Sequence, residues 1–170
     1  MNAILQRLQG TDRRSIGRSN DVVAEVLAQP DLFGSLFVGM LDNDPVVRMR
    51  AADAVEKITA QHPEYLWPFK RPLIHEVAHV NQQEVRWHVA QMFSRLNLTP
   101  KERRVVFTIL LEYLDDTSRI VKTFSMQALA DIALHDNNLR PTVVRRLKSL
   151  VRTGSPAMKT RGRKLLAMLS

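Results

Sequence analysis

The chain of 170 residues contains no cysteine. This absence excludes disulfide bonds, thiolate metal sites and a cysteine nucleophile, and it is typical of a reducing compartment. The N-terminus has no apolar run of signal-peptide length, so we expect a cytoplasmic protein. The longest apolar stretch, VVFTILLEYL at 105–114, is too short to span a bilayer, and we therefore expect no membrane partner.

Glycine is scarce, with six residues, and the glycine-based motifs of catalysis are missing. The sequence has no glycine-rich phosphate loop, no G-x-S-x-G elbow and no D-x-D loop. The carboxylates are scattered over predicted helix starts and turns, where capping and the helix dipole explain them. We predict a protein that is not an enzyme and needs no cofactor.

Acidic residues are absent from residues 137–170, which hold nine of the 25 lysines and arginines. The rest of the chain is close to neutral, so the net charge of +8 arises in its last fifth. Such asymmetry predicts an acidic protein or peptide partner at this end, with nucleic acid as an alternative partner and a merely solubilising patch as a third interpretation. The basic patch consists of Arg140, Arg145, Arg146, Lys148, Arg152, Lys159, Arg161, Arg163 and Lys164.

The sequence does contain a repeated amphipathic pattern. An apolar residue followed by a base recurs at steps of 38, 36 and 37 residues, at Val47-Arg48, Val85-Arg86, Val121-Lys122 and Met158-Lys159. Other amphipathic segments lie between these copies. Helix pairs of this kind cannot bury their apolar faces singly, so the pattern predicts that they stack on one another.

Capping signals support the predicted helix starts. Asp44-Pro45, Thr99-Pro100 and Ser155-Pro156 each place a capping side chain before a proline at the first helical position. Thr99 and Glu102 have the spacing of a capping box, in which each side chain satisfies a backbone N–H of the other.

This pattern resembles HEAT repeats, part of the armadillo-like α-solenoid class, over nearly the whole chain. The resemblance implies an all-α fold, a right-handed α-α superhelix of about four to five helix pairs that forms a single domain over residues 1–170. In that family a turn Asp and an early basic residue of the second helix form a ladder between repeats. Val80 and Thr153 replace the Asp in two copies, and the ladder positions here are Asp42, Arg48, Arg86, Asp116, Lys122 and Lys159.

Second helices line the concave surface of a solenoid, so the positions opposite the buried residues predict the floor of a groove. Trp87, flanked by His88, Gln91 and Arg95, is either a binding hot spot or an aromatic packed between helices. We interpret the chain as a non-catalytic scaffold that holds a protein or peptide in this groove. The predicted groove residues are Met49, Asp53, Trp87, Gln91, Thr123, Gln127 and Lys164.

Two alternative functions remain. Alkylpurine DNA glycosylases, which are also built from HEAT-like repeats, hold duplex DNA in a basic concave face lined with aromatic residues, which makes a nucleic-acid binder the second interpretation. The third is a zinc hydrolase, since HEVAH at 75–79 satisfies H-E-x-x-H. The helical wheel places His75 and His79 opposite the buried stripe and no third ligand follows in sequence, so we predict exposed histidines and no metal site.

Overall fold

The computed structural model describes residues 2–170, and within that range it contains helices and no strand. The predicted all-α class is confirmed. The α-helices are α1 (Ala3–Leu8), α2 (Ser19–Ala28), α3 (Phe33–Phe37), α4 (Pro45–Gln61), α5 (Lys70–His75), α6 (Gln83–Phe93), α7 (Pro100–Tyr113), α8 (Arg119–His135), α9 (Arg140–Thr153) and α10 (Pro156–Leu169).

Short 3₁₀ segments connect some of these helices, at Pro30–Leu32, Val38–Leu41, Pro63–Phe69 and Val77–His79. None of the described helices has both the length and the apolar character needed to cross a bilayer. The helices form two compact units, one ending at Asn97 and the other spanning Leu98–Ser170. The single repeat domain expected over residues 1–170 therefore stays a prediction.

The predicted helix starts are confirmed at three prolines. Asp44 accepts a hydrogen bond from the backbone N–H of Val46 at 2.8 Å, with Pro45 as the first residue of α4. Ser155 caps α10 in the same way. Thr99 and Glu102 form both hydrogen bonds of the capping box at the start of α7. Local sequence therefore determines where these helices begin.

Helix α4 is the centre of the first unit and packs against α1, α2, α3 and α6. Small side chains let several neighbours approach it at once, and burial extends almost all round it instead of along one stripe. Its buried residues are Val46, Val47, Met49, Arg50, Ala51, Ala52, Asp53, Ala54, Val55, Ile58 and Thr59.

Arg50 is the unusual member of this set, because its side chain is 5% exposed and forms no ion pair with any residue that the structure describes. Its guanidinium instead donates to four backbone carbonyls of the N-terminal segment. The acceptors lie between 2.8 and 3.2 Å away, on Leu8, Gln9, Asp12 and Ser15. Arginine suits this position because its rigid fork of N–H groups can bond several carbonyls at once.

Two glycines allow the N-terminal segment to wrap so closely around Arg50. A Cβ at Gly10 would collide with the Arg50 guanidinium, and a Cβ at Gly17 would lie 2.6 Å from its Cζ. Gly17 also has a φ of +53°, in the left-handed region that glycine adopts at little cost. The segment from Gln9 to Arg18 is therefore shaped around one arginine.

The arginines early in α4 and α6 make the same kind of contact. Arg48 donates to the carbonyl of Asp42 at 2.8 Å, and Arg86 donates to the carbonyl of Val80 at 3.2 Å, in each case six residues back. Arg48 also donates to Gln82 Oε1 at 2.8 Å, which ties the turn before α4 to the turn before α6. Because the acceptor is a backbone carbonyl, Arg86 makes this contact although no Asp stands at position 80.

The turn carboxylates of the expected ladder accept hydrogen bonds from the backbone of their own turns. Asp42 accepts from the N–H of Asp44 at 2.9 Å, and Asp116 accepts from the N–H of Ser118 at 2.7 Å. These Asx turns shape the approach to α4 and α8. Lys122 and Lys159, the bases at the corresponding positions of α8 and α10, are half-buried.

In the second unit, α8 packs against α7, α9 and α10, and α9 packs closely against α10. Gly162 permits this approach, because a Cβ there would lie 2.6 Å from Val151 Cγ2 and 3.3 Å from Met126 Cε. Val143, Leu147, Met158 and Leu165 supply buried apolar surface along α9 and α10. The opposite face of α9 is left to solvent.

We expect Arg50→Ala to lower the free energy of unfolding by about 2–4 kcal/mol, because four carbonyls lose their donor and a buried side chain is truncated. Hydrogen exchange of amides in residues 9–18 should speed up first, since Arg50 holds that segment on α4. Arg14→Ala is the matched control, because the Arg14 side chain is 93% exposed. Unchanged exchange in residues 9–18 of the Arg50 variant would contradict this assignment.

Candidate functional site

The two histidines of HEVAH do not lie on one continuous helix. Helix α5 ends at His75, Glu76 interrupts it, and Val77–His79 is a 3₁₀ turn. His75 and His79 are both exposed, as the helical wheel predicts. Among residues 2–170 there is no group of three or more His, Asp or Glu placed to hold a metal ion. The spacing that H-E-x-x-H needs for zinc binding depends on helical geometry that this segment lacks.

Three of the predicted groove residues meet in the first unit around one cavity of about 430 Å³. Met49 and Asp53 of α4 lie at its base, and Trp87 of α6 forms a side. Met49 and Asp53 are buried rather than open to solvent as a groove floor would be, because the segment from Arg13 to Ser19 lies over α4. Arg13 and Arg14 are exposed residues at the mouth of the cavity.

Asp53 is the centre of a polar cluster that sequence reasoning did not find. Its Oδ2 accepts hydrogen bonds from Ser19 Oγ at 2.6 Å and from Lys57 Nζ at 2.8 Å. His88 Nε2 lies 3.7 Å from Oδ1, and the other ring nitrogen of His88 is 2.6 Å from the carbonyl of Glu84. The only signal in the sequence was the i, i+4 spacing of Asp53 and Lys57; Ser19 and His88 come from distant segments.

The environment of Asp53 keeps its carboxyl group ionised. Burial on its own would raise the pKa of Asp53, but the interaction with His88, the hydrogen bonds from Lys57 and Ser19 and the charge of Lys57 outweigh it. They lower the pKa of Asp53 from 3.8 to about 2. The cavity therefore has at its base an ionised carboxylate that is paired with Lys57, and it has two arginines at its mouth.

Trp87 is half-buried, and its ring lies 5.8 Å from that of His88. Of its other predicted neighbours, Gln91 donates to the backbone carbonyl of Trp87 at 3.2 Å, and Arg95 pairs with Glu56 at 2.6 Å. The most exposed aromatic residue is Trp67, at 54%, which the sequence pattern did not single out. Trp67 lies in the irregular Pro63–Phe69 segment, where helical periodicity gives no indication of exposure.

In the second unit, Thr123 is half-buried and lines a shallow pocket of about 530 Å³ between the starts of α8 and α10. Ile120 and Phe124 give this pocket apolar walls, and Ile120 is 48% exposed. Pro156 of α10 closes its far side. Thr123 is polar, so this predicted groove residue did not by itself indicate that its surroundings are apolar.

Gln127 forms side-chain hydrogen bonds within the second unit. It accepts a hydrogen bond from Arg161 at 2.9 Å and donates one to Asp131 at 3.0 Å. Burial raises the pKa of Asp131, against the opposing effects of the Gln127 hydrogen bond and the charges of His135 and Arg161. Lys164, the last predicted groove residue, is exposed on α10.

The nine residues of the basic patch divide into two groups. Arg140 donates to the carbonyl of Ala133, Arg146 pairs with Asp115 at 3.1 Å, and Arg161 donates to Gln127. The other six make no ion pair or hydrogen bond with the part of the chain that the structure describes, and all but the half-buried Lys159 are exposed. We call these six the unpaired cations: Arg145, Lys148, Arg152, Lys159, Arg163 and Lys164.

Three unpaired cations line a groove along the solvent face of α9. The groove has a volume of about 770 Å³. Its floor and one wall are apolar, formed by Val144 and Val151 of α9 and Leu166 of α10. We call this the α9 groove; its lining is Pro141, Val144, Arg145, Lys148, Val151, Arg152 and Leu166.

A comparison with protein-family models, with curated proteins and with solved structures found no match to the chain. Its function has to be inferred from its own side chains.

We expect Asp53→Asn to lower the free energy of unfolding near neutral pH by about 1–2 kcal/mol, because the groups that lower the pKa of Asp53 to about 2 stabilise its carboxylate in the folded protein. The folded-state pKa is depressed, so this stability is complete above about pH 5 and is lost as the pH falls through about 2. Urea unfolding of both proteins at several pH values should show the difference narrowing over that window. A difference that stays constant from pH 6 to pH 2 would mean that Asp53 does not act through its charge.

Proposed function

We propose that this chain is a non-catalytic binding module of HEAT-like helix pairs that holds an acidic protein or peptide. The observation that carries the proposal is the set of six unpaired cations on α9 and α10. A helix pair with this charge and no acidic residue of its own attracts an anionic partner, and its cations are available for ion pairs across an interface.

The HEAT-like arrangement has support from the turns. Arg48 and Arg86 bond to carbonyls six residues back, and Arg48 also reaches Gln82 of the following turn. Contacts of this kind are what a ladder between repeats requires. In the proposed solenoid the pocket beside Thr123 belongs to the concave face and gives the partner an apolar contact.

We expect an acidic peptide of about 16 residues, rich in Glu, to bind with an affinity that falls roughly tenfold between 50 and 200 mM salt, because exposed charges are screened at short range. Replacing the six unpaired cations by alanine should abolish this binding. Replacing Lys101 and Arg104, exposed cations of the same unit that line neither the α9 groove nor the pocket beside Thr123, should leave it nearly unchanged. Fluorescence anisotropy measures both effects, and equal loss in the two variants would remove the basis of the proposal.

Nucleic-acid binding is a second candidate function, favoured by the cavity at Asp53. Trp87 offers an aromatic surface at its side, while Arg13 and Arg14 lie at its mouth. Stacking of a base on an aromatic ring with cations close to the backbone is how single strands are held without sequence preference. Arg14 is partly neutralised by Asp12 at 3.2 Å, and the ionised Asp53 repels phosphate, so only a base fits the interior.

If this second function is correct, Trp87→Ala should weaken binding of a single-stranded oligonucleotide by at least tenfold, because stacking contributes about 1–3 kcal/mol per base. Trp67→Ala is the matched control, an exposed tryptophan of the same unit that does not line the cavity. Electrophoretic mobility shifts at low salt would provide the measurement. Equal effects of the two substitutions would exclude the cavity as the binding site.

A further inference from the structure

The α9 groove has a regular spacing along the helix axis. Val144 and Val151 are seven residues apart, which on an α-helix is two turns, or about 10.5 Å. Arg145, Lys148 and Arg152 follow one another at three and four residues and lie along the same stretch of helix. An apolar line with a parallel line of cations is the surface that one helix presents to another in a coiled-coil pair.

We propose that the α9 groove binds one acidic amphipathic helix of a partner protein. This inference rests on the proposed function and adds the conformation and register of the ligand. The partner helix has apolar side chains at positions i, i+3 or i+4, and i+7 of its own sequence. These side chains pack against Val144, Val151 and Leu166. Its Glu or Asp side chains, one position round the helix, face Arg145, Lys148 and Arg152.

The ligand is helical because α9 offers it no backbone hydrogen bonds. The N–H and C=O groups of α9 bond within the helix, so an extended peptide laid along it would gain no strand pairing. A helix satisfies its own backbone and brings only side chains to the groove. The helix-in-groove mode therefore matches the apolar character of the floor.

Charge argues against two other occupants. A second copy docked symmetrically through the same groove would bring three cations of one copy against three of the other. Duplex nucleic acid would meet the cations, but Val144, Val151 and Leu166 offer its phosphates no hydrogen bond. Only a partner that is both acidic and apolar complements the whole groove.

Two variants of the full chain, each with three charges reversed, distinguish this inference from the proposed function. One is Arg145→Glu, Lys148→Glu and Arg152→Glu in the α9 groove. The matched control is Lys159→Glu, Arg163→Glu and Lys164→Glu, the same change in net charge on the α10 cations outside the groove lining. Circular dichroism and thermal unfolding would show that both variants fold, and Val144→Ser provides an uncharged change in the floor.

The probes are three labelled 18-residue peptides of equal net charge. The first has a Leu/Glu pattern at helical spacing, the second scrambles the same residues, and the third replaces each Leu by Ser. We expect the first peptide to bind at least tenfold more tightly than the other two. The α9 reversal and Val144→Ser should each weaken it at least fivefold, and the α10 reversal less than threefold.

The other possible results distinguish the groove inference from the proposed binding of an acidic partner. If the three peptides bind equally and both reversals weaken them alike, the groove inference is wrong while binding of an acidic partner stands. If none of the peptides binds, both are wrong. Tighter binding of duplex DNA than of the patterned peptide, weakened by the α9 reversal, would also overturn the groove inference. Concentration-dependent dimers abolished by Val144→Ser would instead assign the groove to a second copy.

Discussion

The buried guanidinium of Arg50 is the constraint on which the first unit depends. A charged group at 5% exposure is costly unless its hydrogen bonds are replaced, and here backbone carbonyls of four residues replace them. Two of these, Leu8 and Gln9, belong to the C-terminal end of α1, where the helix dipole favours a cation. The segment from Gln9 to Arg18 has little apolar surface to bury, and Arg50 fastens it to α4 through backbone carbonyls.

The candidate cavity follows from the same attachment. Holding the N-terminal segment on α4 places Arg13 and Arg14 at the mouth of the cavity and brings Ser19, at the start of α2, to Asp53. Asp53, which the sequence pattern predicts to lie in an open groove, is therefore a buried carboxylate with a lowered pKa. An ordered surface segment thereby decides both the access to this site and its electrostatics.

The second unit follows the opposite principle, since six cations of its last two helices make no ion pair with the residues that the structure describes. Its last two helices bury Val143, Leu147, Met158 and Leu165 on one side and leave cations on the other. Exposed cations cost little in water, so folding does not require that they be paired. Their concentration beside the apolar floor of the α9 groove gives this surface the combination of charge and shape on which the proposed binding rests.

The sequence by itself determined the features that depend on neighbours along the chain. The all-α class follows from periodicity, and the starts of α4, α7 and α10 follow from capping side chains, both of which operate within a few residues. Tertiary structure alone decided the rest. Arg50 and Ser19 gained their roles from partners more than 30 residues away, and Met49 and Asp53 became buried because a distant segment covers them. Likewise, three cations of the basic patch are engaged because the Asp115 carboxylate, the backbone carbonyl of Ala133 and the Gln127 side chain come within their reach. No local pattern encodes those distances.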